Sequence, residues 1–354
     1  MAASSMPHRC LAALALAAAA TPPPRQRHEI GKLPALGYNT WNDVRCDGVD
    51  AATILSLAQG LVQSNFSQKG YTFLNVDDCW QAPLLNEAGE LVPDSVKFPD
   101  GLKIVVDKVH ALGLKFGLYA DRGFYTCAFR AGSRHHERTH AKQFHAWQID
   151  YLKYDSCWSP NLRRKGALED YARMRDALAE YAPGVHYSLC GWSSWYAPAV
   201  SGEEGYHSWR ISADCDEFAN IYEAARTMEQ LSDYAGPTKG YNDPDMLVGT
   251  STGAVTLTPT QSRTQFDLWC VSCAKCCLPP SRRRRAVGRH RRRRDATRPV
   301  AAMAGGIDAI DPAMACRWHR RHRRVPAQVR PRRAITSGHE PVSHERLGPR
   351  DLRR

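Results

Sequence analysis

Beyond its first twenty residues the 354-residue chain lacks any apolar run approaching the roughly 18 residues that a membrane-spanning helix needs. No membrane partner is expected. A G-x-G-x-x-G turn is missing as well: after the first strand-like segment the sequence reads GYNTWNDVRCDG (Gly37–Gly48). That excludes the usual dinucleotide-binding turn of a doubly wound sheet. Lysine is absent and aromatics nearly so from the last stretch. Residues 281–354 contain 22 Arg, no Lys, 6 acidic residues and one aromatic, Trp318, for a net charge of +16. Residues 1–280 then hold 26 basic and 30 acidic residues, a net of −4, and the other 31 aromatics. The overall charge of +12 therefore belongs to the tail and not to the body. Without interleaved aromatics or a recognition helix, the tail predicts only salt-sensitive, non-specific phosphate binding, and no specific nucleic-acid partner is expected.

The first residues, MAASSMPHRCLAALALAAAATPPP, place His8 and Arg9 before the apolar run Leu11–Ala20, which ends in small residues. This pattern reads as a secretory signal peptide over residues 1–20. Asn65-Phe66-Ser67 is a glycosylation sequon and agrees with export. An oxidising compartment makes cysteines candidates for disulfides. Cys46 with Cys79 and Cys127 with Cys157 would each tie the tops of adjacent strands, and Cys190 with Cys215 would be a third pair. Spacing alone does not fix the connectivity.

From Leu33 to Leu247 short apolar segments alternate with amphipathic ones. The strand candidates are LPALGYNTW, TFLNVDDCW, LKFGLYAD, IDYLKYDSC, VHYSLCGW, SWRISADC and YNDPDML. Helical patterns cover Ala51–Gln63, Gly101–Leu112, His140–Trp147, Ala167–Tyr181 and Glu217–Leu231. Seven βα units imply a parallel sheet with helices outside it, and their number favours an α/β (β/α)8 TIM barrel short of its eighth strand. A further helix, PTQSRTQFDLWCV, ends at Val271, after which the pattern fails. The barrel is therefore assigned to residues 31–271. Residues 272–354 are read as an Arg-rich, disordered tail, and the abrupt change of composition favours a reading-frame slip or retained intron in GC-rich DNA over native coding sequence. Cys270, Cys273, Cys276 and Cys277 mimic metal-ligand spacing, but the shapeless stretch around them offers no small zinc fold, and no metal is expected. His135, His136 and His140 sit in RAGSRHHERTHAKQ, read as a solvated helix face.

Polar residues recur at the ends of nearly all seven strand candidates: Trp41, Asp77 and Asp78, Asp121, Asp155, Asp214, Asp243 and Asp245. Strand ends that converge on one mouth are where barrel enzymes keep their chemistry. Two of these segments, YLKYDSC and SWRISADC, bring a lysine and an arginine beside Asp155 and Asp214. Paired carboxylates with flanking cations suit acid/base or covalent work on a neutral polar substrate such as a sugar.

Taken together, LGYNTW, NVDDCW, GLYADRGFYTC, YLKYDSC, SWRISAD and YNDPDML resemble the α-galactosidases of glycoside hydrolase family 27, the melibiases, over Leu33 to Val271. The resemblance implies a retaining enzyme without a cofactor, acting on terminal α-D-galactosyl residues of oligosaccharides, glycolipids or glycoproteins. It makes Asp155 the nucleophile and Asp214 the general acid/base, with a covalent galactosyl–Asp155 intermediate. It also implies that Asp77 and Asp78 accept from the 4- and 6-hydroxyls, that Lys153 and Arg210 bind the 3/4- and 2-hydroxyl sides, and that Trp41 and Tyr119 form the apolar wall. Cys127 borders the same pocket and Asp245 closes its far side. A secreted or lysosome/vacuole location and a homodimer are compatible with it.

Lys153, on the same strand face as Asp155, is expected to favour the ionised nucleophile. Asp214 is expected in a less solvated or more negative setting that keeps its proton. Gly191 stands where many family members carry a larger polar residue, which leaves α-N-acetylgalactosaminidase or another family-27 α-glycosidase as an alternative. The family's eighth strand and C-terminal β-sandwich domain are not recognisable. A barrel lacking one strand exposes two edges, so the sequence predicts poor folding or an inactive sugar-binding remnant.

Overall fold

The alternating pattern becomes βα units in the computed structural model, which describes residues 30–249, 257–272 and 277–278. The strands are β1 (Gly37–Asn39), β2 (Phe73–Val76), β3 (Lys115–Asp121), β4 (Tyr151–Asp155), β5 (His186–Leu189), β6 (Ser208–Arg210), β7 (Tyr241–Asp243) and β8 (Cys277–Leu278). Outside them lie α1 (Trp41–Gly48), α2 (Ala51–Gln63), α3 (Leu102–Ala111), α4 (Glu137–Trp147), α5 (Arg164–Tyr181), α6 (Tyr196–Val200), α7 (Phe218–Gln230) and α8 (Pro259–Val271). All strand pairs are parallel, in the order β7-β6-β5-β4-β3-β2-β1-β8. This is the curled sheet of a partial (β/α)8 barrel, as the sequence predicts.

One detail departs from that reading. Where no eighth strand is recognisable in sequence, β8 pairs with β1 through Gly37↔Cys277 and Tyr38↔Leu278. Two residues are too few to produce a period, so the pattern could not reveal them. Among the described residues β8 does not pair with β7, and the sheet order ends at β7. The residues read as a signal peptide and the remainder of the tail lie outside the described residues. No helix among the described residues is long and apolar enough to cross a membrane.

Local chemistry fixes the start of two helices. Asp50 caps α2 by accepting from the Thr53 N–H at 2.7 Å. Thr258 and Gln261 form a capping box ahead of Pro259, which fixes the start of α8. Sequence reading misses α1 and α6. The first carries WNDVRCDG, which has no apolar stripe and is interrupted at Arg45 (φ 48°), and the second has only five residues. Asn65 of the sequon lies exposed two residues beyond α2.

Behind the strand tops a buried polar network ties three elements together. Arg122 Nη1 donates to Ser159 Oγ at 2.7 Å, the Asn161 carbonyl at 3.1 Å and Asp170 Oδ2 at 2.8 Å. Asp170, on α5, is fully buried and is also paired with Arg134 (3.1 Å) and Arg173. The network joins the loop after β3, the loop after β4 and α5. Asp170→Ala would leave the buried Arg122 without its carboxylate and is expected to lower unfolding stability by about 3–5 kcal/mol. Chemical denaturation tests this, and a loss under 1 kcal/mol would contradict it.

Two further sequence readings are corrected here. His140 is not part of a solvated face: it is fully buried, with Nδ1 2.9 Å from Ser133 Oγ and Nε2 3.1 Å from the Gly89 carbonyl. Burial holds its pKa down at about 3, so the ring stays neutral. The charged neighbours mask the inward stripe of α4, on which His140 lies with Glu137, Ala141 and Phe144. Cys190 and Cys215 are not joined: both are free and buried, Arg210 Nη1 lying 3.8 Å from Cys190 Sγ, and Cys215 Sγ donating to the Pro244 carbonyl at 3.3 Å. The other two pairings, Cys46–Cys79 and Cys127–Cys157, are present.

Candidate active site

Parallel strands place their C-terminal ends on one side of the sheet, and the residues there surround a cavity of about 330 Å³. Trp41, Asp77, Asp78, Tyr119, Cys127, Lys153, Asp155, Arg210, Asp214 and Asp245 all line it. These ten residues thus face one space, whereas Asp121 and Asp243, the other strand-end acids, are not among its lining. The volume is in the range of small-molecule sites.

β2 ends in two carboxylates that are held in different ways. Asp77 accepts from Lys153 Nζ at 2.8 Å and from Asn39 Nδ2 at 2.7 Å. Burial works to raise its pKa, but the Lys153 charge and these hydrogen bonds outweigh that and keep it below the ordinary carboxylate value. Asp78 accepts from the Ala128 N–H at 2.9 Å and the Cys79 N–H at 2.7 Å, and burial leaves its pKa raised. Lys153 also lies 5.2 Å over the Tyr119 ring. Burial disfavours its ammonium, yet Asp77 and Asp155 hold it well above the ordinary lysine value.

Asp155 is the last residue of β4 and is 4 % exposed. The Ser156 N–H donates to Oδ1 at 2.9 Å. Burial raises its pKa to about 6, against the opposing pull of Lys153 and with the help of Asp77. The lysine's effect has the expected sign, but desolvation is the larger effect and reverses the net direction. Asp121, its register partner on β3, accepts from the Gly123 N–H at 2.7 Å and the Cys157 N–H at 2.8 Å. Burial, then the Asp155 charge, pushes Asp121 well up. Asp121, Asp155, Cys127 and Cys157 have donor atoms within 4.8 Å of one another. The two sulfurs are bonded to each other, which leaves two carboxylates and no four-ligand set for a metal.

Opposite stands Arg210 at the end of β6, 4 % exposed, with Nη1 3.2 Å from Asp245 Oδ1 and Nη2 3.0 Å from Asp214 Oδ1. Asp214 lies four residues beyond Arg210 in the following loop, and its side chain is 73 % exposed. The expected desolvated setting is not found. A short strand followed by an open loop leaves this carboxyl at the solvent side of the cavity, facing a guanidinium. Asp245, at φ 91°, is buried and accepts from the Cys215 N–H at 2.7 Å and the Met246 N–H at 2.7 Å. A non-glycine residue in that backbone region is strained by about 1–3 kcal/mol, and surrounding contacts must hold it there.

Arg45, Cys190 and Trp192 also line the cavity and escaped the sequence reading. Trp192 closes the strand candidate VHYSLCGW, and its position beyond the strand end is the available signal. Gly191 has a steric reason to be glycine: a Cβ there would meet the Tyr196 ring at 2.1 Å.

Comparison with known proteins agrees with this geometry. A family model described as Alpha galactosidase A matches residues 33–293. An alpha-galactosidase of Oryza sativa subsp. japonica is 36 % identical over 69 % of this chain and 57 % of its own length. Alpha-galactosidase 3 of Arabidopsis thaliana is 38 % identical over 68 % of this chain and 53 % of its own. The chain thus spans little more than half the length of these relatives. Among solved structures, alpha-galactosidase I from Mortierella vinacea superposes with a TM-score of 0.61 at 31 % identity, covering 70 % of this chain and 67 % of that one. An alpha-galactosidase of Saccharomyces cerevisiae determined with raffinose gives 0.64 at 27 % identity, covering 72 % and 60 %. With the family match extending over most of the chain and the strand-end residues converging as they do, the chain belongs to the alpha galactosidase A family.

Proposed function

We propose that the protein is a retaining α-galactosidase that removes terminal α-D-galactosyl residues from oligosaccharides or glycoconjugates. The observation that carries this reading is the convergence of Asp155 and Asp214 on one cavity, flanked by Lys153 and Arg210. In this reading ionised Asp155 attacks the anomeric carbon and forms a galactosyl ester. Asp214 gives its proton to the departing oxygen, then takes one from the water that cleaves the ester, so two inversions keep the α configuration.

Recognition follows from the same geometry. Asp77 and Asp78 are fixed acceptors for ring hydroxyls, and Lys153 and Arg210 are fixed donors. An epimer with a misplaced hydroxyl leaves such groups unpaired, at about 1–3 kcal/mol each. Trp41, Tyr119 and Trp192 supply apolar contact for the C–H faces. The formed cross-links support an oxidising, secretory location. The test is hydrolysis of melibiose followed by NMR. Initial release of α-galactose is expected, whereas a β-galactose product, or no turnover by folded protein, would refute the reading.

Asp155 must be ionised to attack. Its pKa of about 6 therefore predicts that kcat/KM falls as pH drops through about 6, by about tenfold per pH unit below it. A pH profile still flat at pH 4 would contradict this assignment.

A further inference from the structure

Beside the cavity, and not lining it, an aromatic pair stands in solvent. Phe129 and Trp158 are 59 % and 54 % exposed, with ring centroids 4.6 Å apart and planes tilted by 42°. The reaction as described uses neither ring. Both residues have positive φ, 57° and 45°, a backbone region that is costly for aromatic residues.

The chain around them is built to hold that display. Phe129 comes two residues after Cys127, which lines the cavity, and Trp158 follows Cys157 and comes three residues after Asp155. The Cys127–Cys157 disulfide joins the two loops directly beneath the rings. The Phe129 N–H donates to the Thr126 carbonyl at 3.0 Å, and the Thr126 N–H donates to the Arg130 carbonyl at 2.9 Å, which closes a tight turn that includes Phe129. On the other loop the Phe124 N–H donates to the Trp158 carbonyl at 3.3 Å. Gly123 packs so closely there that a Cβ would meet the Cys157 carbonyl oxygen at 2.0 Å. From consecutive Cα spacing, Phe129 lies no more than ~8 Å along the chain from Cys127. The Phe129 ring therefore stands beside the cavity lining and outside it.

We propose that Phe129 and Trp158 form a binding platform for the aglycone, taking the first sugar of the leaving group against their exposed faces. This inference rests on the α-galactosidase reading. A pyranose presents an apolar C–H face and polar edges, so exposed rigid rings can cover the one while water solvates the other. Two strained residues fixed by a cross-link bind with little loss of side-chain freedom. The pair is thus a specificity-determining element for substrates whose leaving group is itself a sugar.

The test compares melibiose with α-galactosyl fluoride, whose leaving group is too small to reach the rings. Phe129→Ala and Trp158→Ala are each expected to lower kcat/KM for melibiose about tenfold, mostly through KM, and to leave α-galactosyl fluoride within twofold. Trp158→Phe should recover most of the loss. Equal effects on both substrates, or none on either, would overturn the proposal while leaving the α-galactosidase reading intact. Absence of turnover of either substrate by the unsubstituted protein counts against that reading instead. Isothermal titration then decides on the platform. Raffinose should bind at least fivefold more tightly than galactose, with the difference lost in Trp158→Ala, and equal binding of the two sugars by the unsubstituted protein would refute it.

Discussion

Asp155→Asn is expected to lower kcat on an α-galactoside by about 10⁴-fold or more, because the amide cannot form the galactosyl ester. The fold should not suffer, and its pH response should change in a defined way. The folded pKa of about 6 lies above the ordinary 3.8, so the protonated form of Asp155 is the one the fold favours. The stabilisation is complete below about pH 4 and disappears as pH rises through 6. The amide variant keeps a neutral group at all pH values. It should match the unsubstituted protein near pH 3.5 and exceed it by about 3 kcal/mol at pH 7. Denaturant titrations at the two pH values check the stability, and burst kinetics with a fluorescent galactoside check the chemistry. Residual turnover within a hundredfold of normal would remove Asp155 from the nucleophile's role.

Lys153→Met is expected to combine a stability loss with a shifted pH profile. Asp77, at 2 % exposure, would lose its cation and keep only Asn39 and backbone donors. Breaking a buried pair on one side typically costs about 3–5 kcal/mol. In the unsubstituted protein Asp77 has a lowered pKa, so its contribution is present at neutral pH and lost as pH falls through that value. The deficit of the variant should therefore be largest near pH 7 and shrink on acidification. Asp155 would simultaneously lose the charge that opposes its desolvation, and the acid limb of kcat/KM should move above pH 6. An Arg substitution keeps the charge but not the point-like ammonium, so it should restore part of the stability and little of the rate. An unmoved acid limb in Lys153→Met would show that the lysine does not tune the nucleophile.

Much of this site was legible because barrel topology turns a one-dimensional pattern into a ring. Apolar segments that end in a carboxylate, such as NVDD and YLKYD, deliver that group to the strand tops, where Asp77, Asp78 and Asp155 line the cavity and Asp121 and Asp243 do not. Ala51–Gln63 and Pro259–Val271 were readable to the residue, since Asp50 and the Thr258–Gln261 box mark their starts chemically. What escaped depends on three-dimensional environment. Desolvation outweighing the Lys153 charge at Asp155 cannot be read from a spacing of two along a strand. Nor can the exposure of Asp214, which follows from β6 stopping at Arg210. The two-residue β8 is too short to carry a period, and His140 shares its buried stripe on α4 with a charged residue, Glu137, which hides the stripe.

The position of the two cross-links has a practical consequence. Cys127–Cys157 joins two loops beside the cavity, and Cys46–Cys79 ties α1 to the edge of the packed interior, where Cys79 is buried with neighbours such as Phe116, Phe144 and Trp209. Material made in a reducing cytosol is expected to keep most of that packing while the two loops beside the cavity relax. Two preparations of one chain, equal by circular dichroism, would then differ in Michaelis constant according to their redox history alone.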